Sequence, residues 1–264
     1  PITKNTYACF EPALDYVVTK IPRFPFDKFV TANRRLGTQM KATGEVMALG
    51  RNMEEALLKA VRSLEVGLFH LELPSLAGKT IKEIKDKILQ QDDERLFAVA
   101  EGMRKGMSLH ELHQLTKIDF FFLKRIERII HLEKKLASCE KDPAIVRVAK
   151  ELGFSDKYLA RLWEFSEEEV YEWRAKHKIT PVYKMVDTCA GEFESSTPYY
   201  YSTYESQDEV LESQKQKVVV LGSGPIRIGQ GIEFDYATVH AIEAIRSMGY
   251  EAVVINNNPE TVST

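Results

Sequence analysis

Two loops hold the residues whose types and spacing could do chemistry. The first is LGSGPIRIGQGIEFDY, Leu221 to Tyr236, which follows the apolar run Lys217-Val218-Val219-Val220. A glycine-rich turn between a strand and a helix can cradle a phosphate on backbone N–H groups. The second is Asn256-Asn257-Asn258-Pro259-Glu260-Thr261, at the end of the apolar run Glu251 to Asn256. Adjacent parallel strands would bring Arg227, Glu233, Asp235 and Glu260 to one sheet edge. The phosphate motifs are nonetheless incomplete. A dinucleotide fingerprint needs glycine where Arg227 stands. The P-loop spacing is met by Gly224 and Gly229, but Gln230-Gly231 replaces Lys-Ser/Thr and removes the phosphate lysine and the magnesium hydroxyl. Two readings stay open: a tight turn in which glycines let strand, loop and helix pack closely, or a backbone wall beside a ligand path. Glu233 and Asp235 either pair with Arg227 or face that polar passage.

Other reactive residue types carry less. His110 and His113 share a helical face without an evident third ligand, so no metal is expected there. Cys189 has no identifiable base beside it. With Cys9 and Cys139 it makes an odd count with no CxxC pair, which points to a reducing, cytoplasmic setting. Phe120-Phe121-Phe122 reads as core and helix contact, or as a self-association patch. Lys124-Arg125, Arg128 and Lys134-Lys135 alternate with Glu127 and Glu133, which reads as a solvated, ion-paired face. A net charge of −3, from 36 basic and 39 acidic side chains among 264 residues, gives no global attraction to nucleic acid. No stretch approaches the ~20 consecutive apolar residues that span a bilayer. The opening Pro1-Ile2-Thr3-Lys4-Asn5 is no signal peptide and lacks a methionine, so an excised piece is expected.

The elements that must position these residues fall into three textures. Residues 1–65 are mixed: a β-branched run, Tyr16 to Ile21, is stopped by Pro22, and Gly44 to Gly50 forms a second strand. Asn52 then caps a helix through Leu64, with Ala56, Leu57, Ala60, Val61 and Leu64 on one face and a stop at Gly67. The middle is nearly pure helix in short pieces, opened by Thr80, Asp92, Ser108, Asp119, Pro143, Ser155 and Ser166. Ser108–Glu111 and Ser166–Glu169 form capping boxes. Inward positions include Ile81, Ile84, Ile88, Leu96, Val99, Met103, Leu123, Ile126, Ile130, Leu136, Ile145, Val148 and Leu152. Trp163 and Trp173 anchor the last two helices. Residues 179–264 return to extended structure. Pro181–Asp187 and the tyrosine-rich Tyr199–Tyr204 precede a polar linker, Glu205–Gln216. A βαβ unit follows, its helix facing inward with Val239, Ile242 and Ile245 and ending at Gly249.

The quoted loop, followed by INNNPETVST, resembles the start of the second synthetic half of the carbamoyl-phosphate synthase large subunit. FEPALDYVVTKIPRFPFDKF and LGTQMKATGEVMALGRNMEEALLKAVRSLE resemble the end of its first half, and PVYKMVDTCAGEF with YYYSTYE resembles the segment before the second. The helical middle is assigned by position. The resemblance implies a mixed fold: a mainly α-helical bundle flanked by parts of α/β ATP-grasp-type synthetic domains. Residues 1–65 are then the tail of the carboxyphosphate domain, 66–209 the helical oligomerisation domain with an extended linker, and 210–264 the opening βαβ unit of the carbamoyl phosphate domain. The family is an ATP-dependent ligase of arginine and pyrimidine biosynthesis that makes carbamoyl phosphate from bicarbonate, ammonia and two ATP. A glutaminase small subunit supplies the ammonia. ATP and Mg2+ (or Mn2+) are implied for cores before residue 1 and after residue 264, so neither is expected on this segment, which is expected to be inactive alone. The glycine loop then holds no ATP phosphates. Carbamate is short-lived in water and needs a shielded route. The resemblance makes Glu45 and Glu260 candidates for its wall, with Gly231 at a narrow point; no catalytic or metal-binding residue is implied. Self-association through the helical middle is implied, and neither nucleic acid nor membrane is an expected partner. The competing readings are a helical interaction module with no role in chemistry and an independent nucleotide-binding enzyme.

Overall fold

The β-branched run near the start forms β1, Val17–Arg23, which pairs antiparallel with β2, Gly44–Gly50, from Val17↔Gly50 to Arg23↔Gly44. The computed structural model describes residues 7, 9, 11–139, 141–190, 197–211, 213–222, 224, 229–256 and 261–264, with backbone alone at Ile232. β1 does not stop at Pro22, which stands inside the ladder opposite Glu45. The outer edge of β1 has no strand partner among the described residues, and a proline is tolerated on such an edge because its missing N–H breaks no ladder bond. Val46 and Ala48 of β2 pack on Ala60 of α1, Met53–Ser63, and on Leu64 just after it, with Ile21 alongside. The Asn52 side chain accepts the Glu55 N–H at 2.9 Å and closes the helix start. The stop comes at Glu65, in the left-handed region at φ 53°, two residues before Gly67.

Among the described residues, seven further α-helices form the middle: α2 (Ile81–Leu89), α3 (Arg95–Arg104), α4 (Leu109–Thr116), α5 (Phe120–Ser138), α6 (Pro143–Glu151), α7 (Asp156–Trp163) and α8 (Glu167–Lys176). Both expected capping boxes are present, and Thr80–Glu83 supplies another. The longest helix, α5, packs against α1, α3, α4 and α6. Its Leu123, Ile126, Ile129 and Ile130 are buried with Leu57, Leu58 and Val61 of α1, Ile84 and Ile88 of α2, and Phe154 and Leu159 farther along. Each fully buried side chain of this size contributes about 1.5–3 kcal/mol. Thus α1 serves both cores. Val148 points outward, because Val146 and Ala149 set the inward face of α6 and position 148 falls on its far side. Ile81 is also exposed. The indole rings of Trp163 and Trp173 meet edge to face at 5.3 Å and join α7 to α8, as expected.

Two small sheets follow. β3 (Val182–Met185) and β4 (Tyr200–Thr203) pair antiparallel, and β4 reaches β2. β5 (Lys217–Leu221) and β6 (Glu251–Ile255) pair parallel, in register Lys217↔Glu251, with α9 (Tyr236–Ser247) crossing between them. This is the expected βαβ unit. The fold is a mixed one, a helical bundle accompanied by sheets of two strands each among the described residues.

One buried network departs from the sequence reading. Glu133 is not on a solvated face of α5. It is buried and takes the Arg104 guanidinium at 2.8 Å on each oxygen. The His70 Nε2–H donates to the same carboxylate at 2.7 Å, while Nδ1 is buried without a partner beside Phe154 and Tyr158. Burial pushes the His70 imidazole below its ordinary value, against the pull of Glu133. Burial alone would raise the Glu133 carboxyl, but Arg104 and His70 outweigh it and hold it below the usual carboxylate range. The folded chain therefore resists protonating His70, whereas the unfolded chain protonates it near pH 6.5. The stability this group contributes is complete above about pH 6.5 and is lost as pH falls below it, at no more than ~1.4 kcal/mol per pH unit for one proton. Urea midpoints measured from pH 7.5 to 5 should fall across that window. His70→Gln, a neutral donor, should flatten the slope, and an unchanged slope would exclude His70 as its source.

Candidate functional site

At the carboxyl end of β5 and β6 the two predicted loops do meet. The Gly222 N–H donates to Ile255 O at 2.9 Å. A Cβ on Gly222 would run into the Asn256 amide, so glycine is required by close approach. Asn256 Nδ2 reaches the hydroxyls of Thr261 (3.1 Å), Ser263 (3.2 Å) and Thr264 (3.2 Å). Asp235 is fully buried and accepts the Ser263 N–H at 2.7 Å. Asp235 thus ties the loop before α9 to the loop after β6. Glu233, also singled out in sequence, is exposed. Gly231 opens the 3-10 turn Ile232–Asp235, and a Cβ there would meet the Glu233 carboxylate. Arg227 and Glu260 lie outside the described residues.

Glu45 stands at the other end of the chain's fold, on β2. Its carboxylate receives Lys20 Nζ at 2.9 Å, a diagonal cross-strand pair, and its side chain is 47% exposed. Glu45 and Gly231 belong to different parts of the structure, the β1–β2 sheet and the β5–α9–β6 unit. An open cavity of about 380 Å³ lies near the Pro22 end of β1, between Phe24, Leu36 and the α2–α3 turn. Its carboxylates are already engaged: Asp92 by Lys87 at 2.5 Å and Asp93 by Arg34 at 2.9 Å.

A polar hub that no sequence motif announces gathers around Arg51 and Glu55. Arg51 Nε donates to Glu205 at 2.6 Å, and Nη1 donates to Asp15 at 2.5 Å. Glu55 of α1 is buried, and one of its oxygens accepts the Arg51 N–H at 2.8 Å and the Thr203 hydroxyl at 3.0 Å. The other takes Lys59 Nζ at 2.8 Å. Lys184 of β3 reaches Glu209 at 2.9 Å and Glu205 at 3.6 Å. The Tyr199 hydroxyl donates to Thr264 O at 2.8 Å, linking the start of β4 to the last described loop. The hub therefore holds the early strands, α1 and the linker to the βαβ unit together. Its groups orient and fasten.

The remaining residues singled out in sequence have local roles. His113 Nδ1 lies 2.8 Å from Ile118 O, and its ring stacks on Phe120 at 4.4 Å. No group of three His, Cys, Asp or Glu side chains able to hold a metal occurs among the described residues. Cys189 is buried, with its N–H donated to Asp187. Phe120, Phe121 and Phe122 are not core: they are 36%, 51% and 46% exposed. No helix among the described residues is long and apolar enough to cross a membrane.

Comparison with known families gives two matches. A family model described as carbamoyl-phosphate synthetase large chain, oligomerisation domain, matches residues 45–178. One described as carbamoyl phosphate synthase preATP-grasp domain matches residues 214–264. Arg51 lies within the first match, and its partner Glu205 lies in the stretch between the two. Arg51→Ala should therefore loosen that stretch at a cost of about 1–2 kcal/mol, the scale of part-exposed charged hydrogen bonds. Limited proteolysis within Glu205–Gln216 should accelerate roughly tenfold, while the circular dichroism melt of the helices shifts little. Equal cleavage rates in both proteins would show that the hub does not restrain the linker.

Proposed function

The chain belongs to the carbamoyl-phosphate synthetase large-chain family, and on that premise we propose that it is the joint between the two synthetic halves of this ligase. In this reading residues 1–65 close the carboxyphosphate domain, 66–209 form the helical oligomerisation domain with its linker, and 210–264 open the carbamoyl phosphate domain. The observation that carries it is the order of the two matches, with a hub-anchored linker between them. The full enzyme joins bicarbonate and glutamine-derived ammonia at the expense of two ATP, and its glutaminase small subunit is the expected partner. ATP and Mg2+ or Mn2+ would act in cores outside these residues. The incomplete phosphate motif at Gly224–Gly231 supports that division, because the loop lacks the lysine and hydroxyl that phosphate and magnesium require.

Glu45, Glu260 and Gly231 are proposed to line part of the passage that carries carbamate from one half to the other. A shielded route matters because water destroys this intermediate. Glu45 suits a polar wall: it is fixed on a paired strand, yet keeps much of its carboxylate open. Gly231 is assigned the narrow point from the family resemblance; the nearest side chain to it is the Glu233 carboxylate. The helical middle is proposed to self-associate, which accords with the family's oligomerisation domain.

The passage is tested in the full-length enzyme. Glu45→Ala and Glu260→Ala should each lower carbamoyl phosphate formation about tenfold or more, a loss of ~1.4 kcal/mol or more in coupling. Bicarbonate-dependent ATP hydrolysis should persist. If both activities fall in parallel, or neither changes, these residues do not line the passage.

A further inference from the structure

The outer face of α5 is unusual in carrying aromatic rings and unspent positive charge together. Phe120, Phe121, Lys124, Arg128 and Lys135 recur at helical spacing opposite the buried Leu123, Ile126 and Ile130. All five are exposed. Phe121 and Phe122 meet edge to face at 5.3 Å, and the Arg125 guanidinium lies 4.8 Å from the Phe121 ring, so the rings form an ordered platform. Arg128 is engaged with Glu54, but Lys124 and Lys135 make no ion pair among the described residues. Cations also meet other exposed aromatics of the bundle: Lys157 lies 3.8 Å from the Phe69 ring and Arg174 4.7 Å from that of Tyr171.

The complementary surface is on the same chain. Glu168 and Glu172 project from α8 and Glu164 from the turn before it, with Tyr171 (56% exposed) beside them. Neighbouring acids are already committed: Glu169 to its capping box and Glu167 to Lys157 at 3.9 Å. The three others have no ion pair among the described residues. Within one copy α8 packs on α7, and α5 packs on α1, α3, α4 and α6, so the basic-aromatic face and the acidic face are both turned outward.

We infer that the α5 face of one copy docks onto the α8 acidic face of a second copy, with Phe121 at the centre and the lysine–glutamate pairs around it. The inference rests on the reading of the helical middle as a self-associating domain and names the surfaces it uses. A two-fold axis lets each copy give its α5 face and receive on its α8 face, so the contact is made twice. The exposed phenylalanines supply apolar area, and the charges fix register and exclude a parallel α5-to-α5 pairing that would oppose lysine to lysine.

Sedimentation equilibrium of the full chain tests this. The wild type should associate, and more weakly at high salt. Lys124→Glu with Lys135→Glu should weaken association about tenfold or more, as should Glu168→Lys with Glu172→Lys. Mixing these two reversed proteins should restore it, because both contacts of the mixed pair are again opposite in charge. Phe121→Ser should weaken it without salt dependence in the loss, and circular dichroism melts identify any variant that fails to fold. A folded mixture that stays monomeric overturns the proposed pairing. So does wild-type-like association of both reversals, in which case self-association itself stands. A wild type that is monomeric at every concentration removes the reading beneath it as well.

Discussion

A carboxylate shut away from water must have its charge matched in place, because burying it unpaired costs far more than a fold can spare. Helix α1 carries two such groups in its first turn, Glu54 and Glu55, both buried. Arg128 of α5 answers Glu54 at 3.2 Å. Lys59, the Arg51 backbone and Thr203 of β4 answer Glu55. The α6–α7 turn closes the arrangement from another side. Asn52 Nδ2 donates to Glu151 O at 2.9 Å, and Arg62 Nη1 donates to Gly153 O at 2.7 Å. Gly153 sits at φ 85°, where a Cβ would lie 2.8 Å from Glu55 Cα, so only glycine allows the turn to approach this closely. Three separate parts of the chain are thereby positioned by one helical turn.

This arrangement stiffens the fold around α1. The sheet β1–β2 and the helical bundle share α1 as a common wall, so neither can shift without disturbing apolar contacts to that helix. Farther along, Lys150 is buried between Phe154 O and Asp156, both at 2.8 Å, and Arg174 takes the other oxygen of Asp156 at 2.8 Å. Burial lowers the Lys150 ammonium to about 8, against the pull of Asp156. Buried ion pairs of this kind do little for net stability when compared with well-packed apolar side chains, but they tolerate few alternative arrangements. The α6–α7–α8 corner is thereby held to one arrangement.

Helix starts were legible in the sequence because caps are local chemistry. Asn52, Ser108, Asp119, Ser155 and Ser166 each bond an N–H two or three residues ahead. What depends on distant partners was not legible. Glu133 alternates with lysines and looks solvated, but the groups that bury it, Arg104 and His70, lie 29 and 63 positions away. Phe120–Phe122 look like core by hydrophobicity alone, yet they begin a helix whose inward face starts at Leu123. In the candidate site, the strand-end glycine loop and Asp235 could be read from spacing. The hub around Arg51 could not, since Glu205 is 154 positions away and an arginine before a helix cap carries no signal of its own. The one hint was the polar character of the linker.

Several turns between the helices use residues other than glycine in the left-handed region. Besides Glu65 they include Gln91, Lys117, Glu164 and Lys178, and Lys117 and Glu164 terminate α4 and α7 directly. Each such residue holds about 1 kcal/mol of backbone strain. At Lys117, an exposed residue that closes α4, asparagine or glycine would release that strain without touching a core. The bundle therefore keeps a reserve from which later losses elsewhere in the chain can be made good.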